Sequence, residues 1–199
     1  GMFLRAEAYD TIGGFDPALG PFGDGLDMGR RLHLAGYRVI VAPRARVRHA
    51  RTSMTPGIDP TQASTLWEDA DSPEAVARLV SAQAKSFRRR RAAQMYNWCK
   101  AVPALALPFL ALWLLLWTPA RALGRFVTGR ATLALPEIAA LLSLMAATPR
   151  LLAGRARAAQ SRTVPRSSLR ALEITPASLR KEPAGDEEDD NGERIDPLV

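Results

Sequence analysis

The chain is poor in several residue types, and each shortage excludes something. Cys99 is its only cysteine in 199 residues, so no intrachain disulfide and no cysteine-based metal site can form. That usage fits a cytoplasmic face. Lys85, Lys100 and Lys181 are the only lysines, so the basic charge is almost wholly arginine. His33 and His49 are the only histidines. Residues 1–10 have neither the basic start nor the apolar run of a secretory signal. No internal repeat is visible.

What is present comes in blocks. Residues 101–117 and 131–147 are nearly all apolar, residues 44–52, 88–91 and 150–170 are rich in arginine, and residues 182–196 are acidic. A single globular core does not produce such blocks, so the chain reads as a soluble piece, a membrane piece and a tail. The formal net charge is +7. Basic charge beside apolar runs points to anionic lipid headgroups and a cytoplasmic orientation. Nucleic acid is the competing partner for such charge, but no recognition motif accompanies it and none is expected to bind.

In the soluble piece, Met2–Arg5 is short and apolar and predicts a strand, and Ala6–Ile12 predicts one or two turns of helix. Gly13-Gly14 breaks that helix, and Phe15 follows as an apolar anchor. Met28, Leu32 and Ala35 share one face of a helix over 25–35, with Asp24 as cap or first-turn acid and Gly36 as its terminator. Tyr37–Ala42 then predicts a second strand, stopped by Pro43. In an extended segment His49 would share a face with Ala45 and Val47, opposite Arg44, Arg46 and Arg48.

Residues 52–71 read as loop. Ser72-Pro73-Glu74 opens a basic helix that runs through Arg88–Arg91 towards Trp98. Residues 101–123 approach the roughly 20 residues that cross a bilayer, and Trp98, Trp113 and Trp117 are candidate interfacial anchors. Residues 131–148 form a second spanning or interfacial segment, in which Glu137 is costly unless it faces protein or lies near an interface. Residues 149–199 are basic, then acidic, and predict a largely disordered tail.

The first 50 residues carry an ordered set of short motifs: Gly13-Gly14-Phe15-Asp16, Gly23-Asp24-Gly25-Leu26-Asp27, Arg31-Leu32, Leu34-Ala35-Gly36-Tyr37-Arg38-Val39, Pro43 and His49. In order and spacing this set resembles the acceptor-side half of family 2 glycosyltransferases of the GT-A fold. The apolar segments after an arginine-rich linker resemble large actinobacterial-type membrane members. The resemblance implies an α/β fragment, the acceptor-side half of a GT-A domain over residues 1–55. A loop (56–71), a basic amphipathic helix (72–100), one or two membrane helices and the disordered tail would follow.

The activity implied is transfer of a sugar from a nucleotide sugar to a glycan or lipid-linked acceptor at the cytoplasmic face of the cell membrane. A carboxylate would act as general base on the acceptor hydroxyl. Gly13, Gly14 and Phe15 would line the acceptor pocket, and His49 would contact a divalent cation, Mn²⁺ or Mg²⁺, or the diphosphate. The sequence departs from the pattern at the base: Asp24 falls where the family has Glu, and Gly25 where it has the catalytic Asp. Three readings follow: Asp24 works from the adjacent position, Asp27 contributes, or the chemistry is changed or lost. Asp27 also has a plain alternative as a first-turn acid paired with Arg30 or Arg31. The metal-binding Asp-x-Asp of the family does not occur ahead of His49, and Asp69-Ala70-Asp71 lies downstream in loop. The resemblance therefore predicts that this polypeptide alone is inactive. The alternative is a non-catalytic, membrane-anchored partner protein.

Overall fold

The computed structural model describes residues 2–42 and 73–172, in two compact units. The first ends at Val164, and the described part of the second is a short 3-10 helix, Arg166–Leu172.

Helix α1 (Ala6–Thr11) is a single turn and a half with Ala8 buried. Helix α2 (Asp24–Leu34) has Asp24 and Asp27 in its first turn and Arg31 and His33 in its last. That order of charge opposes the helix macrodipole at both ends. Its apolar stripe buries Met28 and Leu32 against Ala8 and Ile12 of α1, with Leu4, Ala35 and Tyr37 at the margin. The end of α2 is a Schellman motif. The Tyr37 N–H donates to the Leu32 carbonyl and the Gly36 N–H to that of His33, both at 3.0 Å. The motif needs a left-handed residue at Gly36, whose φ is 86°.

The expected α/β arrangement is absent from the described residues. Residues 2–5 and 37–42 form no strand, and no strand occurs among the described residues, so this part of the chain is helical rather than an α/β half of a GT-A domain. The physical reason lies in the partner: a strand satisfies its backbone only through a neighbouring ladder. Here Ile40 and Val41 stand 75% and 87% exposed, with no strand beside them among the described residues. Tyr37 is drawn instead into the end of α2 and towards α1, where its hydroxyl meets Thr11 Oγ1 at 3.0 Å.

Helix α3 (Pro73–Ala101) begins on a proline, which loses nothing by lacking an N–H at that position. Pro103 ends it. Helix α4 (Leu107–Val127) follows, with Pro108 in its first turn and Pro119 inside. Helices α5 (Ala134–Ala146) and α6 (Thr148–Gln160) complete the unit, the pair bent by 61° at Ala147. Residues assigned to the tail from 149 onward thus begin as α6; from 173 the tail lies outside the described residues.

Helix α5 packs against both α3 and α4. The core between them holds Met95, Tyr96, Cys99, Leu114, Leu141 and Leu144. Two cross-contacts set α3 and α4 antiparallel: the Arg125 guanidinium lies 4.7 Å from the Phe87 ring centre, and Trp98 lies 6.1 Å from Trp113. Glu137, in the first turn of α5, is fully buried. It is compensated by three arginines, through Nε of Arg91 at 2.7 Å, Arg125 at 3.0 Å and Arg121 at 3.4 Å. Arg91 also lies over the Trp98 ring.

The carbonyls left over at the end of α3 are capped by a side chain. Arg155 Nη1, from α6, donates to the Cys99 carbonyl, to that of Val102 at 2.9 Å and to that of Lys100 at 3.3 Å. Arg155→Met should therefore cost about 1–3 kcal/mol, the penalty for stranding half-buried carbonyls. A urea titration followed by circular dichroism measures it; an unchanged midpoint would mean that water serves these carbonyls equally well.

Candidate functional site

The turn after α1 is built on two consecutive glycines, Gly13 (φ 72°) and Gly14 (φ 69°). Gly14 also has no room for a side chain, because a Cβ there would lie 2.8 Å from the Tyr9 ring. The turn leaves Phe15 on the surface, 45% exposed and edge-on to Tyr9 with ring centres 6.0 Å apart. It sends Asp16 the other way, into the protein, where it is 5% exposed.

Asp16 Oδ1 accepts the Ala18 N–H at 3.1 Å, while Oδ2 accepts the Tyr96 hydroxyl at 3.0 Å and Lys100 Nζ at 2.6 Å. The same Nζ lies 2.8 Å from Asp27 Oδ1. Asp27 Oδ2 accepts Arg31 Nε at 2.7 Å, and Arg31 Nη1 donates to the Ile12 carbonyl at 2.8 Å. Asn97 Nδ2 donates to the Gly23 carbonyl at 3.0 Å. Both acidic motifs are thus locked to the last turns of α3, with Lys100 as the bridge. Gly154 lets α6 close over the cluster: a Cβ there would lie 2.8 Å from Asp16 Oδ2.

The electrostatics follow from this burial. Desolvation pushes the Asp16 carboxyl up. The Lys100 and Ala18 hydrogen bonds, the Lys100 charge and the Tyr96 hydroxyl outweigh it and hold the group below its ordinary value of 3.8. Burial, and then the adjacent Asp16 charge, push the Tyr96 phenol up, and burial raises the Cys99 thiol. Neither Tyr96 nor Cys99 is ionised at neutral pH.

Asp24 differs from the other two motif acids. It is half-buried at the start of α2, and its Oδ1 accepts the neighbouring Gly25 N–H at 2.8 Å. No cation pairs with it among the described residues, whereas Asp16 and Asp27 are both ion-paired. The structure therefore brings Asp27 together with Asp16, Lys100 and Arg31, and leaves Asp24 available. His49 and Asp69-Ala70-Asp71 lie outside the described residues. No group of three His, Cys, Asp or Glu side chains that could hold a metal occurs among the described residues. The described residues by themselves therefore form no site for a divalent cation.

Beside the glycine turn lies a cleft of about 470 Å³. Residues 17–22 form one wall, and Arg88, Arg89 and Tyr96 of α3 with Arg150 of α6 form much of the rest. Among the described residues no carboxylate lines it. Sequence reasoning did not identify Lys100, Tyr96 or Asn97 as partners of the motifs. One signal was there: Lys100 is a rare lysine in an arginine-dominated chain, and a compact ammonium can bridge two carboxylates where a planar guanidinium fits less well.

Comparison with known proteins agrees with the motifs over the front of the chain. No curated protein and no solved structure matches it. Residues 1–64 match the family described as glycosyltransferase like family 2, which makes this N-terminal part glycosyltransferase-like.

Proposed function

We propose that the chain is part of a membrane-attached glycosyltransferase. It would transfer a sugar from a nucleotide sugar to a polysaccharide or lipid-linked acceptor of the cell envelope, with its residues 1–64 facing the cytoplasm. Asp24 is the general base in this reading. The observation that carries the choice is its freedom: of the three acids in the two motifs, it alone has no cation partner among the described residues. A base must remain an ionised acceptor within hydrogen-bond reach of the sugar hydroxyl. Asp27 does not serve, because both its oxygens are engaged. Gly13, Gly14 and Phe15 border the acceptor, and the arginine-lined cleft beside them suits an acceptor carrying negative charge.

The test is transfer from a panel of nucleotide sugars by membranes containing the chain, both alone and joined to any in-frame upstream coding segment. Asp24→Asn should lower transfer by about 10²–10⁴-fold, the usual worth of a positioned base. Transfer unchanged in Asp24→Asn would remove Asp24 from the mechanism.

A second reading, a non-catalytic partner protein, is favoured by Gly25, which stands where the resemblance expects an acid. The site is sterically open, since a Cβ on Gly25 would meet nothing nearer than Met2 Cε at 3.7 Å. Activity that appears only in Gly25→Asp would support this second reading.

A further inference from the structure

Residues Ala104–Val127, comprising α4 and the turn before it, form the one helix among the described residues long and apolar enough to cross a membrane. Length and composition allow such a helix either to cross the bilayer or to lie along its surface. The packing around it distinguishes the two.

The antiparallel register set by Phe87 with Arg125 and Trp98 with Trp113 places Lys100 level with Ala111 and Leu112. That is about 6 Å from the middle of the helix, at 1.5 Å per residue. Lys100 is fastened to Asp16 and Asp27. An upright crossing would carry this ion cluster and the first turn of α2 deep into a hydrocarbon layer about 30 Å thick, where ionised groups are costly. The same register sets the exposed Arg88, Arg89 and Arg90 beside residues 121–124.

The tryptophans point the same way. Trp113 and Trp117 stack 6.0 Å apart near the middle of the helix, 44% and 45% exposed. An upright helix would hold both indoles near the bilayer centre, whereas indoles favour the headgroup level. The outward apolar surface is also continuous. Leu112 and Leu115 of α4, Met145 of α5 and Leu152 of α6 are all more than half exposed and line one groove of about 320 Å³.

We infer that α4 lies in the plane of the membrane. Its outer apolar face is sunk to the edge of the acyl chains of one leaflet, and the flanking arginines meet anionic phospholipid headgroups. The inference rests on the membrane attachment proposed above and is independent of sugar transfer.

The test uses the full chain in sealed, inverted cell-membrane vesicles, in a Cys99→Ala background with a single new cysteine. Arg38→Cys marks the side of the soluble piece, and Thr128→Cys marks the far end of α4. A membrane-impermeant maleimide should label both from the same side without detergent. Labelling of Thr128→Cys only after permeabilisation would overturn the inference. The wild-type chain supplies an independent readout in vesicles of phosphatidylcholine and phosphatidylglycerol. Fluorescence assigned to Trp113 and Trp117 by their phenylalanine variants should be quenched more by bromines near the headgroup than by bromines near the chain ends. The reverse order overturns the in-plane placement. Absence of binding to these vesicles overturns the membrane attachment itself, whatever the transfer assay shows.

Discussion

Glu137→Leu should cost about 3–5 kcal/mol, the range for removing one partner from a buried ion cluster. The expected loss is large because the side chain is fully buried and three guanidinium groups converge on it. Leucine fills the volume but leaves Arg91, itself buried, without its carboxylate. Arg121 and Arg125 are nearer the surface and recover part of their solvation. A second substitution separates charge from packing: Arg91→Met with Glu137→Leu should recover much of the loss, since an apolar replacement of a whole buried pair is often neutral. Chemical denaturation of the four proteins of this cycle measures the coupling. Additive losses would show that Arg91 and Glu137 do not act as a pair.

Lys100→Met should be of similar size and has a signature in pH. The ammonium compensates two buried carboxylates at once, at 2.6 and 2.8 Å. In the native protein Asp16 is held below its ordinary value of 3.8. Its contribution to stability is therefore fully present above that value and is lost as pH falls through the lower, folded one. Without Lys100, burial meets less opposition and the Asp16 carboxyl rises, so the folded variant takes up its proton at higher pH than the native protein does. The stability gap between variant and native protein should be widest near neutrality and should narrow as pH falls through the carboxylate range. A gap independent of pH would mean that the lysine acts by packing alone.

The sequence displayed those features whose causes are local. Helix α2 was legible from the Met28, Leu32 and Ala35 spacing, the first-turn acids and Gly36. The Asp27–Arg31 pair follows from four-residue spacing on one helix. The start of α3 at Pro73 was legible from the cap and proline. The strands expected at 2–5 and 37–42 were not there to find. Val39-Ile40-Val41 has strand-forming side chains, but a strand is a property of two paired segments, and no local composition supplies the second. The lock on the candidate site was invisible for a related reason. Lys100 reaches Asp16 across 84 positions, and Glu137 takes Arg91 from 46 positions earlier. Nothing in the periodicity of either segment names its partner.

The lysine bridge bears on how this chain could be divided. Its two halves are held at a seam where Asp16, Asp27 and the Gly23 carbonyl belong to one side and Lys100, Tyr96 and Asn97 to the other. The front side carries more acid than its own Arg31 neutralises, and the back side carries the missing cation. Severed between residues 42 and 73, the polypeptide would yield two pieces with matched, opposite deficits. They are built to find one another, as the parts of a split reporter do, rather than to live apart as independent modules.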